Sequence, residues 1–403
     1  MSTPLTDTLQ RWLPEFTEIR RDLHAYPETA FQEYRTADRV AALLESWGIP
    51  VQRGLGGTGM VGTIAGSAPG RTIGLRADMD ALPMTEANTF AHASRHPGAM
   101  HACGHDGHMA MLLAAARHLA AERDFKGTVY VIFQPAEEGG GGAKKMIDDG
   151  LFDRFPMDAV FGMHNWPGLP VGHFGLTEGA IMASSNSFGI TVRGRGGHGA
   201  MPHLGADPVV AAAQLVSAFQ SILTRNLDPL ESAVISVTQI HAGSADNVIP
   251  DTAAMRGTVR TLSIQALDLI ESRMRDIALQ LPVALGCTAD FEFRREYPVT
   301  LNHRAETALC AQVLSDLVGA DRLDTQVRPS MGAEDFAYML QERPGCYVWI
   351  GNGEGEHRLP GHGAGPCTLH NTSYDFNDAL IPLGAAYWVK LAQRALQPGS
   401  EAA

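Results

Sequence analysis

Apolar residues in the first part of the chain recur with two different spacings that alternate along the sequence. Leu9, Leu13, Phe16 and Ile19 follow a helical spacing, which predicts a helix near the amino terminus. The segment Gly127–Phe133 is almost continuously apolar, as strands buried on both faces of a sheet are. We predict further elements of these two kinds at Thr36–Trp47, Val61–Ala65, Thr72–Ala77, His105–Arg123 and Asp158–His164. Apolar strands between helices indicate an α/β sheet with helices on both faces.

The pattern changes near Ser184, where strands with alternating polarity begin. The predicted order is β-α-β-β-α-β, which is typical of a ferredoxin-like unit. We assign its elements to Phe188–Arg193, Asp207–Thr224, Ala233–His241, Ala253–Thr261, Ile264–Leu281 and Thr288–Arg295. Elements like those of the first part resume after Pro298. We therefore predict a discontinuous, mixed-sheet α/β catalytic domain (1–184 and 299–403) and an inserted α+β domain (185–298).

Composition narrows the possible functions. Hydrophobic residues make up 45% of the 403 positions, and the formal net charge is −13. An acidic surface disfavours nucleic acid as a partner, and no apolar run reaches the ~20 residues that a membrane span needs. The amino terminus lacks the pattern of a signal peptide, and the five scattered cysteines do not form a disulfide framework. These features favour a cytoplasmic protein, while the 16 histidines are a first indication of metal binding.

The segment HACGHDGH, residues 101–108, is the strongest chemical motif. Cys103 and His105 are separated by one residue, and a predicted helix begins directly after them. A loop at the start of a helix can present two such side chains to one point, and thiolate and imidazole are both good ligands for zinc-like ions. The alternative is a buried free cysteine beside solvated histidines. We expect His101 and His108 to pack or to support the ligands.

Two adjacent carboxylates, Glu137 and Glu138, follow the apolar strand Gly127–Phe133 in the segment QPAEEGGGG. The carboxyl ends of strands in α/β sheets are where ligands bind. One glutamate could hold a metal ion while its neighbour moves protons. The glycines that follow would let the backbone approach the site closely. The alternative is an ordinary exposed pair in a loop.

Three more candidates lie at strand ends or in loops. His164 ends a predicted strand, and His370 lies in CTLHNTSYDFND just before the last predicted helix. Each histidine alone could be structural, but several separate sites with ligand side chains favour one shared metal centre. Asp80, close to Asp78, could orient a histidine ligand through a hydrogen bond, or it could cap a helix or a turn.

The inserted domain contributes candidates for substrate binding. His198 lies in the glycine-rich segment GRGGHGAMPH, which suggests a loop tip near a ligand. Asn247 and Arg260 lie thirteen residues apart, in and after a turn. Arginine on a strand can bind a carboxylate through two hydrogen bonds, although a salt bridge within the protein is the alternative.

Nearly the whole chain resembles the bacterial N-acyl-amino-acid amidohydrolases, which include hippurate hydrolase and the plant hydrolases of indole-acetyl-amino-acid conjugates. They belong to the wider aminoacylase and carboxypeptidase-G type of dinuclear metallopeptidase. The segments that carry the resemblance include GLRADMDALPMTE, MHACGHDGHMA, FQPAEEGGGGAKKMIDDGLF, GMHNWPGLPVG, GHGAMPH, SADNVIPDTAAMRGTVRT, GAEDFAYML and LHNTSYDFND.

The resemblance implies a site with two divalent metal ions per subunit, with zinc favoured and manganese, cobalt or nickel as alternatives. It implies that the metal ligands are Cys103, His105, Glu138, His164 and His370. It makes Glu137 the general base that activates water, with His198 helping to stabilise the oxyanion. Arg260, with Asn247 nearby, would then hold the free carboxylate of the amino-acid half of the substrate.

The resemblance also implies that residues 185–298 are a lid and dimerisation domain in a homodimer or higher homo-oligomer. The implied reaction is cleavage of the amide bond of small N-acyl-L-amino acids to a carboxylic acid and a free amino acid. A dipeptidase or carboxypeptidase on the same fold is the first alternative. A non-catalytic metal- or ligand-binding protein is the second, and the spare carboxylate of Glu137 argues against it.

Overall fold

The computed structural model describes residues 4–397, which form two compact units. The first unit comprises residues up to Ile181 together with Leu301–Arg328 and Asp335 onward. The second comprises Met182–Thr300 and the short segment Pro329–Glu334. The domains predicted from the sequence have their boundaries at 184/185 and 298/299. The roles given to them, catalysis for one and a lid with dimerisation for the other, stay predictions.

The described residues up to Met182 alternate between helices and strands. They form α1 (Pro4–Ala25), α2 (Tyr34–Ser46), β1 (Val51–Leu55), β2 (Gly59–Ala65), β3 (Ala68–Asp78), α3 (His105–Ala121), β4 (Lys126–Gln134), α4 (Gly142–Asp148), α5 (Leu151–Arg154), β5 (Ala159–Pro167), β6 (Phe174–Gly175) and β7 (Gly179–Met182).

The remainder of the chain supplies the elements of the second unit and then returns to the first. The next elements are β8 (Ser185–Arg193), β9 (Gly197–His198), α6 (Pro208–Arg225), β10 (Ala233–Ala242), β11 (Val248–Ile249), β12 (Thr252–Thr261), α7 (Ile264–Ala284) and β13 (Thr288–Tyr297). They are followed by β14 (Thr300–Asn302), α8 (Arg304–Val318), β15 (Leu323–Asp324), α9 (Ala337–Glu342), β16 (Gly345–Gly353) and α10 (Ile381–Ala395). Short 3-10 turns lie at Pro202–Leu204, Ala320–Arg322 and Asp378–Leu380.

The first unit is built on a mixed sheet. The order of its strands, among the described residues, is β1-β2-β4-β3-β5-β16-β6-β15. The central strands β4, β3, β5 and β16 are parallel to one another, and the outer pairs include antiparallel neighbours. Parallel strands buried on both faces require continuous apolar sequence, which GTVYVIF in β4 provides. The predicted mixed α/β sheet is therefore confirmed.

Helix α3 brings the HACGHDGH motif to the carboxyl edge of this sheet. It is buried around almost its whole circumference, as a helix enclosed on all sides is, and it packs against α1 and α10. Gly104 precedes its first residue with a φ of 90°, a backbone conformation that side chains other than glycine rarely adopt. The turn at Gly104 therefore places His105 at the start of the helix with Cys103 just before it.

The second unit has a four-stranded antiparallel sheet in the order β10-β12-β8-β13. Its helices α6 and α7 contribute Leu215, Phe219 and Met274 to a core shared with Phe188 and Val192 of β8. The main elements follow one another in the β-α-β-β-α-β order expected from the sequence. This sheet and its two helices enclose a core separate from that of the first unit.

Two expectations from composition can be compared with the structure. All five cysteines are buried and unpaired, which agrees with the expectation that they do not form a disulfide framework. Among the described residues, no helix combines the length and the apolar character that crossing a bilayer requires.

Candidate metal centre

Metal-binding side chains of the first unit converge at the carboxyl edge of the mixed sheet. Three overlapping groups have their ligand atoms within 4.8 Å of one another. The groups are Cys103 with His105 and His164, Cys103 with Glu138 and His370, and His105 with Glu137 and Glu138. The structure thus brings together all five predicted metal ligands and the predicted general base.

In each of two histidines, a hydrogen bond occupies one ring nitrogen and leaves the other available for a metal. Nδ1 of His164 lies 2.6 Å from the carbonyl oxygen of Asn165, and Nδ1 of His105 lies 2.8 Å from that of Asp80. Because a carbonyl oxygen only accepts, each Nδ1 carries a proton, and Nε2 is the ring nitrogen that a metal could bind. Nε2 of His164 is 3.4 Å from Sγ of Cys103, and Nε2 of His105 is buried without a hydrogen-bond partner.

His108 is also close to these residues, since it forms a candidate group with Asp78 and His105. However, its Nδ1 donates to Oδ1 of Asp78 at 2.6 Å, and its Nε2 accepts the backbone N–H of Asn165 at 3.0 Å. Both ring nitrogens are therefore engaged, and a metal would have to break one of these bonds. His108 acts as a support for the residue that follows His164, in line with the expectation from the sequence.

Carboxylates give the centre a strongly negative field. Oδ1 and Oδ2 of Asp80 accept the backbone N–H groups of Glu137 and Glu138 at 2.9 and 3.0 Å. Burial lowers the pKa of His105, but Asp78, Asp80 and Glu138 more than offset this and raise it to about 10. His105 therefore holds its proton tightly, and the same carboxylates would stabilise a metal cation that replaces this proton.

The thiol of Cys103 responds to the same field in the opposite sense. Burial, followed by the charges of Glu138, Glu137 and Asp78, raises its pKa well above the usual range. The thiol keeps its proton unless a cation is present, and a bound divalent ion would favour the thiolate. Oε1 of Glu138 is buried and lies 3.1 Å from Nε2 of His370, another predicted ligand. Sulfur, imidazole and carboxylate ligand atoms that face one another in this way fit a zinc-like divalent ion.

Two residues with strained backbone conformations orient the ligand side chains. Ala136, directly before Glu137, has a φ of 52°, and His370 has a φ of 59°. Residues other than glycine pay of order 1–3 kcal/mol for such a conformation, which persists only where the surroundings enforce it. The N–H of Ala136 donates to Oε1 of Glu33 at 2.9 Å, and the N–H of His370 donates to the carbonyl of Ala102 at 2.8 Å. These bonds fix the turn before the glutamate pair and hold His370 beside the cysteine loop.

His370 closes one side of the centre only partly. Its Nε2 lies 3.1 Å from Oε1 of Glu138, and its side chain is 53% exposed. Cys103, His105 and His164 are by contrast buried. The centre therefore has one accessible side within the first unit, through which a substrate could approach.

A buried ion-pair network under the centre was missed by the sequence analysis. Arg20 is fully buried, and its guanidinium contacts Asp375 at 2.8 Å, Asp378 at 2.7 Å and Asp106 at 3.4 Å. Asp106, the residue after His105, also contacts Nδ1 of His24 at 2.8 Å. The sequence did contain a signal for burial of these two residues. Arg20 and His24 lie on the same face of α1 as the apolar residues of that helix.

Asp78 and Asn165 are two further supporting residues whose roles were not predicted. Asp78 bonds His108 and pairs with Nη1 of the buried Arg76 at 2.7 Å. The amide of Asn165 donates to the carbonyl of Cys103 at 2.7 Å and accepts the hydroxyl of Tyr374 at 2.6 Å. Asp78 lies two residues before Asp80 and Asn165 directly follows His164, and this closeness to predicted functional positions was the sequence signal for them.

The predicted catalytic residue His198 and the predicted substrate-binding residues Asn247 and Arg260 lie in the second unit. His198 and Asn247 are exposed neighbours, since the N–H of Gly199 donates to the carbonyl of Asn247 at 2.7 Å. Nδ1 of His198 accepts the N–H of Ala200 at 3.1 Å, so the neutral ring carries its proton on Nε2. Arg260 is half-buried on β12. Burial lowers its pKa, and Glu296 partly offsets this effect.

Comparison with known proteins identifies the family. Residues 74–394 match the family described as Peptidase family M20/M25/M40. The chain belongs to this family. Hippurate hydrolase of Campylobacter jejuni, a relative of this M20 chain, is 41% identical over 383 residues, which cover 95% of this chain and 97% of that enzyme. N-acetyl-L-cysteine deacetylase of Bacillus subtilis is 38% identical over 387 residues, which cover 95% and 88%.

A solved structure supports the same assignment. The M20 chain matches the Bacillus subtilis YXEP protein, described as a dinuclear metal binding peptidase from the M20 family, with a TM-score of 0.83. The two are 33% identical, and the match covers 96% of this chain and 99% of that one. These findings confirm the resemblance and the fold class inferred from the sequence, and they agree with the clustered ligands of the first unit.

Proposed function

We propose that this chain is a metal-dependent amidohydrolase that cleaves N-acyl-L-amino acids to a carboxylic acid and a free amino acid. The observation that carries the proposal is the buried Glu137 beside Glu138, with the backbone of both held by Asp80. A site that only stored metal would need no spare carboxylate next to its ligand. The similarity to hippurate hydrolase and to an N-acetyl amino acid deacetylase supports this substrate class.

The proposed cofactor is a pair of divalent ions held by the five predicted ligands. Zinc is favoured by the thiolate of Cys103, and manganese, cobalt and nickel are the alternatives. When bound, the ions would polarise the scissile carbonyl and lower the pKa of the attacking water. All five cysteines are unpaired, which fits the proposed reducing cytoplasm.

The side chains then have distinct tasks in the proposed reaction. Glu137 takes a proton from the attacking water and returns it to the leaving nitrogen. His198 donates from Nε2 to the oxyanion that develops on the carbonyl. The guanidinium of Arg260, with Asn247 nearby, holds the carboxylate of the amino-acid half.

A substrate panel with a common carboxyl-terminal residue tests this function. N-benzoylglycine, N-acetylglycine and glycylglycine differ only in the group attached to the glycine nitrogen, and release of free glycine reports on all three. We expect turnover of N-acyl glycines well above that of the dipeptide. Turnover of glycylglycine alone would favour the dipeptidase alternative, and no turnover with any loaded metal would contradict the proposal.

The proposal also assigns residues 185–298 as a lid and dimerisation domain. His198 is then expected to act in the transition state and not in metal binding. His198→Ala should lower kcat by about 10²–10³-fold, the usual effect of removing one oxyanion donor, while metal content stays that of the wild type. Steady-state kinetics and elemental analysis of the same preparation check both parts.

A mixing experiment tests whether His198 serves the partner's site. If it does, a mixture of inactive Glu137→Gln and inactive His198→Ala protein should regain part of the activity, because a mixed dimer contains one intact composite site. Subunit exchange must be verified separately, for example with two differently sized tags. A mixture without activity despite exchange would mean that His198 acts within its own chain or does not act.

A further inference from the structure

Three aromatic rings lie on the same face of the sheet beside the candidate metal centre. His164 and Trp166 are two residues apart on β5 and therefore point to the same side of the strand. Trp349 on the parallel neighbour β16 pairs in register with His164, which places its side chain on that face as well. All three residues belong to the first unit.

The two indoles form a preorganised stack. The ring centroids of Trp166 and Trp349 are 3.9 Å apart, and the ring planes differ by 9°. Trp349 also pairs in register with Gly175 of the neighbouring strand β6. Trp349 is only 4% exposed, whereas Trp166 is partly exposed. The accessible surface of the stack therefore belongs mainly to Trp166, and Trp349 fixes its orientation from behind.

The stack is separated from the metal-binding atoms only by the ring of His164. The ring centroids of Trp166 and His164 are 6.1 Å apart at 74°, and Nε2 of His164 is 3.4 Å from Sγ of Cys103. In an N-aroyl amino acid the aromatic ring is bonded directly to the scissile carbonyl carbon. The ring of an aromatic acyl group whose carbonyl reacts at this centre is therefore close to the ligand His164, and Trp166 is an aromatic side chain beside that ligand.

We propose that Trp166, supported by Trp349, is the binding platform for an aromatic acyl group and makes the chain selective for N-aroyl over N-acetyl amino acids. This inference rests on the proposed amidohydrolase function. The indole of Trp166 can offer offset-stacked or edge-to-face contact to a second ring, which an acetyl group cannot make. Trp166 keeps accessible surface beside the predicted ligand His164, whereas Trp349 is buried.

The test compares N-benzoylglycine with N-acetylglycine, which share the leaving amino acid. In Trp166→Ala, the ratio of kcat/KM for the benzoyl substrate to that for the acetyl substrate should fall by about 3- to 10-fold, as expected for the loss of one aromatic contact. Trp166→Phe, which keeps a ring, should retain most of the ratio. Trp166→Leu, which keeps apolar volume without a ring, should lose it and serves if the alanine variant does not fold.

The ratio is measured within one preparation, so it does not depend on the fraction of folded or metal-loaded protein. An unchanged ratio in the Leu or Ala variant, with both substrates slowed equally, would overturn the platform while leaving the amidohydrolase function intact. Wild-type protein that hydrolyses neither substrate would instead overturn the proposed function. Inhibition by benzoate gives a second readout, and it should weaken in Trp166→Leu by the same factor as the ratio.

Discussion

Glu137→Gln is expected to lower kcat by about 10²–10⁴-fold, the usual effect of losing a general base, while the protein keeps its metal. Glutamine has nearly the same shape and can still accept hydrogen bonds, but it cannot take a proton from water at neutral pH. The backbone N–H of residue 137 would still donate to Asp80. The position of the neighbouring Glu138 should therefore be preserved. Single-turnover kinetics together with elemental analysis check the result.

Glu138→Gln is the matched control, because it makes the same chemical change one residue away. As a predicted ligand, Glu138 should be needed for metal occupancy, so this variant should lose metal and turnover together. Near-normal kcat in Glu137→Gln would contradict its role as the base. Equal metal contents in the two variants would contradict the division of tasks between the adjacent carboxylates.

Arg20→Met is expected to destabilise the protein by about 3–5 kcal/mol, the cost of removing one partner from a buried ionic network. The change would leave Asp106, Asp375 and Asp378 facing a methionine where a guanidinium now contacts all three. Asp106 is fully buried and cannot regain water. The measurement is the urea unfolding transition in the presence of a chelator, so that bound metal does not contribute to stability.

Arg21→Met provides the control, because Arg21 is the next residue of the same helix and also contacts Asp378, at 2.8 Å. Its side chain is 40% exposed, and surface pairs of this kind contribute about 0–1 kcal/mol. We expect a small loss of stability in this variant. Similar losses in the two variants would mean that burial of Arg20 adds nothing to its ion pairs.

The fold was predictable where local sequence and burial point to the same element. The apolar residues of α3 recur at helical spacing, and GTVYVIF is a short, almost continuously apolar run, so both elements were predicted from periodicity and composition. The small segment Pro329–Glu334, which belongs to the second unit, has no such signal. Its grouping depends on contacts with residues more than a hundred positions away.

The candidate site was predictable to the level of ligand types, because HACGHDGH and QPAEEGGGG put metal-binding side chains beside the ends of secondary-structure elements. The different roles of His105, a predicted ligand, and His108, a supporting residue, were harder to predict from the sequence. They depend on whether a ring nitrogen contacts the carbonyl of Asp80 or the N–H of Asn165, and these partners come from other parts of the chain.

Backbone strain and long-range ion pairs are the other features that the sequence did not reveal. Alanine at position 136 and histidine at 370 carry no local sign of a positive φ, because the surrounding hydrogen bonds impose it. The contacts of Arg20 join positions 20, 106, 375 and 378. Only the tertiary fold makes these residues neighbours.

We propose that the cluster around Cys103 and Glu138 hydrolyses N-acyl amino acids with bound metal. The most direct measurement is release of glycine from N-benzoylglycine by protein stripped of metal and then reloaded separately with zinc, manganese, cobalt or nickel. We expect no measurable release from the stripped protein and recovery with at least one ion, in proportion to the metal bound. Undiminished release from metal-free protein, or no release at full occupancy with any of the four ions, would contradict it.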